Sequence, residues 1–318
     1  MVNFHKFNYS KEHFNLIKSI DDIAQSDPWK KWRSPKMMSH FMSILPDKAN
    51  YQVELIEKDD QIIGYGETYV DPWAYDEDRL DATIILPLSQ DYYEVGKLAL
   101  ERQLQQAKQS GKTKVRGWQH ECRTWAKPLY FELGFTETLV EYFSQIDLTK
   151  FYEKNHKDTL DKFKNTGYEI FSLPELQSKE PDWERKLFEL WKGIEQDVPT
   201  DVELNIDFDI WKREVLSEWS LLNHFYIATD KNVWMALTSY ERSDIDYQRA
   251  GTNLTGVLPN YRRKSVCTAL KVHALNKLKE AGYQATFTGN EENNPMFQIN
   301  LMLGFKKVGE SFGCQLEI

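Results

Sequence analysis

The sequence predicts an α/β chain in which one unit of strands and helices occurs twice. Three observations carry that reading: the length, an ordered internal repeat, and the same succession of strand and helix patterns in both halves. The chain has 318 residues, and domains of ~100–200 residues make two the expectation. With 41% hydrophobic and 28% charged residues it has a globular composition rather than a disordered or fibrous one. The repeat is visible in short words. Leu133-Gly134-Phe135 returns as Leu303-Gly304-Phe305, and Leu86-Pro87 as Leu258-Pro259. Val95 pairs with Val266 and Gly111 with Gly282, in the same order and at nearly one separation, and Asp27-Pro28 has a looser echo in 197–199. Such self-similarity is the mark of a duplicated fold.

Each element follows from its pattern. In the first copy, strands are expected at 53–56, 62–69 and 82–86, a helix at 94–109 stopped by Gly111, and a strand at 114–118. The join falls near 147–155, a charged stretch without strand alternation, and a helix at 160–166 ends at Gly167. In the second copy Trp183, Leu187, Trp191 and Ile194 repeat at helical spacing. Strands follow at 225–228, 233–240 and 252–258. A helix over 265–281 buries Val266, Leu270, Ala274 and Leu278 and stops at Gly282. A strand at 284–288, a short helix and a last strand at 314–318 close the copy. The domains are therefore drawn as 1–150 and 151–318.

Charge excludes several functions. The net charge is −9, and the longest basic run is Lys30-Lys31-Trp32-Arg33, so a general nucleic-acid footprint is not expected. An anion site must then be local. Three scattered cysteines make no disulfide framework. The start lacks the apolar core of a signal peptide, and no apolar run reaches the ~18–20 residues of a membrane span. The expectation is a cytoplasmic protein with no membrane partner. The seven histidines lie apart, with neither HExxH nor CxxC, so no metal is expected.

One segment could hold a phosphate. Residues 255–270 read TGVLPNYRRKSVCTAL. An apolar strand ends at Pro259, a basic turn of Arg262, Arg263 and Lys264 follows, and a helix opens at Ser265. A helix start offers unpaired N–H groups and partial positive charge, so turn and helix together suit a phosphate or pyrophosphate. Ser265 is a good N-cap residue and Thr268 adds a hydroxyl in the first turn. Read blandly, the same residues are a solvated basic turn with an ordinary cap; the residues alone do not separate the two.

The turn resembles a family signature. Val257-Leu258-Pro259-Asn260-Tyr261-Arg262, then Arg263-Lys264-Ser265-Val266-Cys267, is similar to the acyl-CoA-binding motif of the GCN5-related N-acetyltransferases, Gln/Arg-x-x-Gly-x-Gly/Ala. Asn293-Asn294-Pro295-Met296 and Leu303-Gly304-Phe305 resemble its second signature. The resemblance covers 225–310 well and extends weakly across the first copy. It implies two tandem domains, each a mixed, mostly antiparallel sheet splayed between two strands and flanked by helices. It also implies acetyl-CoA as co-substrate. The pantetheine arm would lie along the strand 255–258, with Val257 and Leu258, and the pyrophosphate on the N–H groups of Arg263, Lys264, Ser265, Val266 and Cys267; Arg262 and Thr268 complete the implied cofactor-binding set. Asn293 would stand on the other side. The implied reaction is direct attack of a primary amine on the thioester in the C-terminal domain.

The departures matter. Ser265 stands where the family has glycine. Asn300 stands at the usual tyrosine that protonates the departing thiolate, and an amide cannot donate a proton. The strand 248–255 carries no carboxylate base. Cys267 near a helix start invites a reactive thiol. The first copy keeps a tyrosine, Tyr130, but has Asp91 and Glu94 where the phosphate turn needs Arg and Gly, so it is expected not to bind CoA. Asp197, Asp201, Glu203, Asp207 and Asp209 form an acidic stretch that could steer a cationic acceptor, with Trp234, Tyr240 and Trp211 as aromatic faces; a solvated loop and core aromatics are the plain alternative. The partner expected is a small-molecule amine. The rival function is a non-catalytic acyl-CoA-binding or interaction protein. Acceptor, acyl length and oligomeric state stay open.

Overall fold

The computed structural model describes residues 1–24, 34–242 and 246–318. Asp27-Pro28 and the basic run 30–33 lie outside the described residues. The chain forms two compact units, and neither is continuous in sequence. Unit 1 is Met1–Glu141 with Thr200–Ile210 and Gly309–Ile318; unit 2 is Tyr142–Pro199 with Trp211–Val308.

Unit 1 runs β1 (Val2–Lys6), α1 (Lys11–Ala24), α2 (Pro35–Ile44), β2 (Gln52–Lys58), β3 (Gln61–Tyr69), β4 (Arg79–Ile85), α3 (Tyr93–Gln109), β5 (Lys114–His120), α4 (Ala126–Glu132) and the start of β6 (Thr136–Asp147). Strands β1 to β4 are antiparallel neighbours. Strand β5 pairs parallel with β4, only over Arg79–Ala82 and Lys114–Gly117. The end of the chain then completes this sheet: Ser311–Glu317 of β12 (Lys306–Glu317) lies antiparallel on β5. The core packs α3 and α4 on the sheet through Val95, Ala99, Leu100, Val115, Leu129 and Phe312.

Unit 2 contains the rest of β6, then α5 (Lys157–Lys164), β7 (Glu169–Ser172), α6 (Leu173–Gln177), α7 (Trp183–Glu195), α8 (Phe208–Val215), β8 (Tyr226–Asp230), β9 (Val233–Arg242), β10 (Arg249–Val257), α9 (Val266–Glu280), β11 (Ala285–Glu291), α10 (Pro295–Leu303) and the start of β12. Its strand order is β6-β11-β10-β9-β8-β7. The expected elements are all present, shifted by a few residues, except that the last strand begins at Lys306 instead of 314. Gly282, at φ 95°, ends α9 as the expected left-handed cap. The expected stripe Val266, Leu270, Ala274 and Leu278 is buried. One residue breaks it: Lys271 is fully buried among these apolar neighbours.

Candidate active site

The site in unit 2 begins with a strand that leaves its neighbour. Strand β10 pairs antiparallel with β9 along its length, with a register shift between Thr252 and Thr255. It pairs parallel with β11 only at Arg249–Gly251. Beyond Gly251 one edge of β10 is therefore unpaired toward β11. The shift is held by Ser239: its hydroxyl accepts from Leu254 N at 3.1 Å and faces Leu254 O at 3.3 Å. An open edge offers backbone donors and acceptors to an extended amide chain. A pantetheine arm is such a chain.

The basic turn follows. Pro259–Tyr261 form a 3₁₀ turn. Arg263 and Ser265 are both left-handed, at φ 59° and 62°. These two residues bend the chain into α9 at Val266, and the N–H groups of its first turn have no helical acceptor. Ser265 occupies the N-cap position but makes no side-chain cap bond. That corrects the expected capping role: an N-cap hydroxyl reaches the first-turn N–H groups from an extended backbone, and this backbone is left-handed. The family's glycine suits this conformation, since a residue with a Cβ is strained there.

Each expected ligand-binding residue has a defined setting. Arg262 donates from Nε to Val257 O at 2.9 Å, and its guanidinium pairs with Asp197. Lys264 lies 5.5 Å from the Tyr261 ring centre and 3.4 Å from the Tyr168 hydroxyl. Val257 and Val266 are buried; Leu258 and Thr268 are half-buried. Cys267 Sγ lies 3.3 Å from Met296 Sδ in α10. Burial pushes its thiol up to about 11. The helix start would lower it, but desolvation wins, so the thiol is not activated. Asn293 is exposed and held by Glu291, through its backbone N–H at 2.9 Å and its amide at 3.0 Å. Asn294 caps α10 by accepting from Met296 N. Asn300 is fully buried; its Nδ2 donates to Asn290 Oδ1 at 2.7 Å and its Oδ1 has no partner.

The expected acceptor residues do not form one rim. Asp197 is spent on Arg262. Asp201 belongs to unit 1, where it lies 3.4 Å from Arg116 and accepts from Thr138 at 2.5 Å. The same arginine binds Asp71 and Asp81. Both acids are thus engaged with arginines of their own units. Trp234 is a core residue with Lys186 Nζ 5.0 Å from its ring centre. Tyr240 is buried beside Thr238 and Cys267, and burial raises its hydroxyl far above the usual range. Trp211 packs between Phe188 and Trp191 in the core.

Two residues escaped the sequence reading. Lys271 has its Nζ in the core without a partner, 5.3 Å from the Phe305 ring centre. Desolvation lowers its ammonium to about 8. The signal was present, a lysine inside an apolar helical stripe. Glu195 at the end of α7 is raised to about 7 by burial, with Glu214 adding to the rise. Nothing in its sequence neighbourhood marks it.

Unit 1 shows the contrasting case. Its β4 and β5 also part after Ala82. Here side chains fill the parting. Gln119 Nε2 donates to Ile84 O at 3.2 Å, and Trp125 Nε1 to Pro87 O at 3.2 Å. Buried Arg123 donates to Gln119 Oε1 at 3.0 Å. Tyr130 is fully buried, its hydroxyl bonded to Gln119 at 3.1 Å.

The same architecture occurs in solved structures. A tandem GNAT protein from the clavulanic acid biosynthesis pathway, solved without acetyl-CoA, superposes with a TM-score of 0.73 at 13% identity, covering 100% of this chain and 98% of that one. A GCN5-related N-acetyltransferase from Sphaerobacter thermophilus gives 0.68 at 11% identity, covering 99% and 95%. The glucosamine N-acetyltransferase region of a fungal multi-domain GH3 β-N-acetylglucosaminidase gives 0.70 at 11% identity, over 99% of this chain and 38% of that one. No protein-family model and no curated protein matches the sequence. The chain therefore has the tandem fold of the GCN5-related N-acetyltransferases.

Proposed function

We propose that the protein is an acetyl-CoA-dependent N-acetyltransferase with one working site, in unit 2, acting on a primary amine. The observation that carries this reading is the pairing of an unpaired β10 edge with the left-handed basic turn that opens α9. The edge would bond the pantetheine amides. The N–H groups of Val266 to Thr268, with Arg263 and Lys264, would hold the pyrophosphate. Arg262, tied to Val257 O and Asp197, positions the turn. Backbone N–H groups along the β10 edge that β11 leaves after Gly251 would polarise the thioester carbonyl. The amine attacks directly, because Cys267 is not ionised near neutral pH.

Unit 1 has the same fold without the same openings. Gln119 and Trp125 occupy the carbonyls that a pantetheine would need, and Asp91 and Glu94 stand at the start of α3. Its role is structural. The test is calorimetric titration of the whole chain with acetyl-CoA. One mole bound per chain, abolished in the Arg262→Glu, Arg263→Glu double variant with the fold intact, is expected. Two moles bound, or binding retained in the variant, would contradict the assignment.

A second reading, a non-catalytic acyl-CoA-binding protein, rests on Asn300, whose amide is engaged with Asn290. Thiol release from acetyl-CoA across a panel of amines separates the two. Turnover above background hydrolysis favours the enzyme; tight binding with hydrolysis alone favours the binder.

A further inference from the structure

Beneath α9, at the place where β10 leaves β11, polar groups collect inside an apolar core. Tyr240 is opposite Thr252, and Thr238 opposite Thr255, so the four share one face of the β9–β10 pair. Tyr240 belongs to the core cluster that contains Val266 and Leu270 of α9, with Cys267 packed against it, so this is the face under the helix. Thr238 and Thr255 bond through their hydroxyls at 2.7 Å. Thr252 Oγ1 has no partner. Lys271 stands one helical turn after Cys267. Helical side chains lean toward the helix start, so its stem runs back toward Cys267 and the anion-binding end of α9.

Lys271 is the anomaly of the helix that covers this face. It is fully buried, and its Nζ has no hydrogen-bond partner. The groups that act on it are the Cys267 thiol and the Phe305 ring; among the described residues no carboxylate pairs with it. A buried, unpaired ammonium is costly, and a purely structural position would favour leucine or methionine. It becomes favourable when a negative charge arrives beside it.

We propose that Lys271 is the cation that receives the departing sulfur: its ammonium, aimed beneath the start of α9, faces the thiol end of a bound CoA. The proposal rests on the acyl-transfer reading above. The amine nitrogen forms a bond to the acyl carbon and the C–S bond breaks, leaving its electron pair on sulfur. The thiolate is held as an ion pair by the Lys271 ammonium. It then takes a proton from Nζ and leaves as the thiol. The proton lost by the attacking amine passes to solvent, and solvent reprotonates Nζ. Asn300, which cannot give a proton, is then not required as the acid.

The test needs no acceptor. Coenzyme A is bound to the intact protein, and ionisation of its thiol is followed by thiolate absorbance against pH, with desulfo-CoA as baseline. In the wild type the bound thiol should ionise at least one pH unit lower than in Lys271→Met, a tenfold larger thiolate fraction at a given pH. Lys271→Gln serves as a second neutral variant, and both should retain CoA binding. The same thiol ionisation in wild type and both variants overturns the role of Lys271 and leaves the acyl-transfer reading standing. Failure of the wild type to bind CoA overturns that reading, and this inference with it.

Discussion

At the residue scale, two positions carry a conformational or electrostatic cost. Ser265 is left-handed at φ 62°. Its replacement by glycine should raise stability by ~0.5–1 kcal/mol, read from the urea midpoint, because glycine adopts this conformation without a Cβ clash. Lys271 has a larger effect. Its ammonium is lowered from 10.5 to about 8 in the fold. Between those values the unfolded chain binds more protons than the folded one, so stability rises with pH across that window. Below about 8 the penalty is fully present. Lys271→Met should therefore stabilise the protein by ~3 kcal/mol at neutral pH, and the gain should shrink between pH 8 and 10.5. Chemical denaturation of both proteins along that pH range checks the sign; an equal pH slope in both would remove this account of Lys271.

At the element scale, the contact between α7 and β10 sets the turn. Gly256 has no room for a Cβ because Ile194 of α7 lies against it, and Gly193 approaches Leu258 in the same way. Close approach of helix and strand places Asp197, just after α7, on Arg262. Gly256→Val should cost ~1–3 kcal/mol through overpacking and should weaken CoA binding, since Val257 O would no longer meet Arg262. Pairing it with Ile194→Ala should recover much of the stability. A double-mutant cycle in urea would measure that coupling, and additive losses would show that the contact does not transmit strain. In unit 1 the element-scale lesson is the reverse: Gln119 and Trp125 turn an open strand edge into a closed one.

At the scale of the whole molecule, neither unit is one continuous stretch of chain. Unit 1 needs Gly309–Ile318 from the end of the chain, and unit 2 needs Tyr142–Asp147 of β6. A cut between residues 150 and 151, where the sequence places the domain join, would strip β12 from β5 and β6 from β11. Each fragment would then expose an unpaired sheet edge and lose part of its core. Neither fragment should show a cooperative thermal transition alone, and mixing the two should restore one. Independent melting of the 151–318 fragment would show that unit 2 carries its own sheet.

The repeat, the element order and the basic turn were legible in the sequence because they are local. Helical spacing, a cap glycine such as Gly282, and a strand–turn–helix word depend on residues near one another in the chain. The settings of Asp197 and Asp201 were not legible: an acidic run looks like one feature, yet one of these acids pairs with Arg262 in the basic turn of unit 2 and the other with a buried arginine of unit 1. The bonds that cross the parting of β4 and β5 in unit 1 were not legible, because Gln119 and Trp125 act on carbonyls far back in the chain. By itself the sequence determined that one fold occurs twice and that a basic turn between strand and helix occurs in the second copy. Only the tertiary structure decided which strand edges stay open, which acids are already paired, and that Lys271 is buried without a partner. Those outcomes depend on which side chains meet across the sheet, and the pairing of strands distant in sequence settles that.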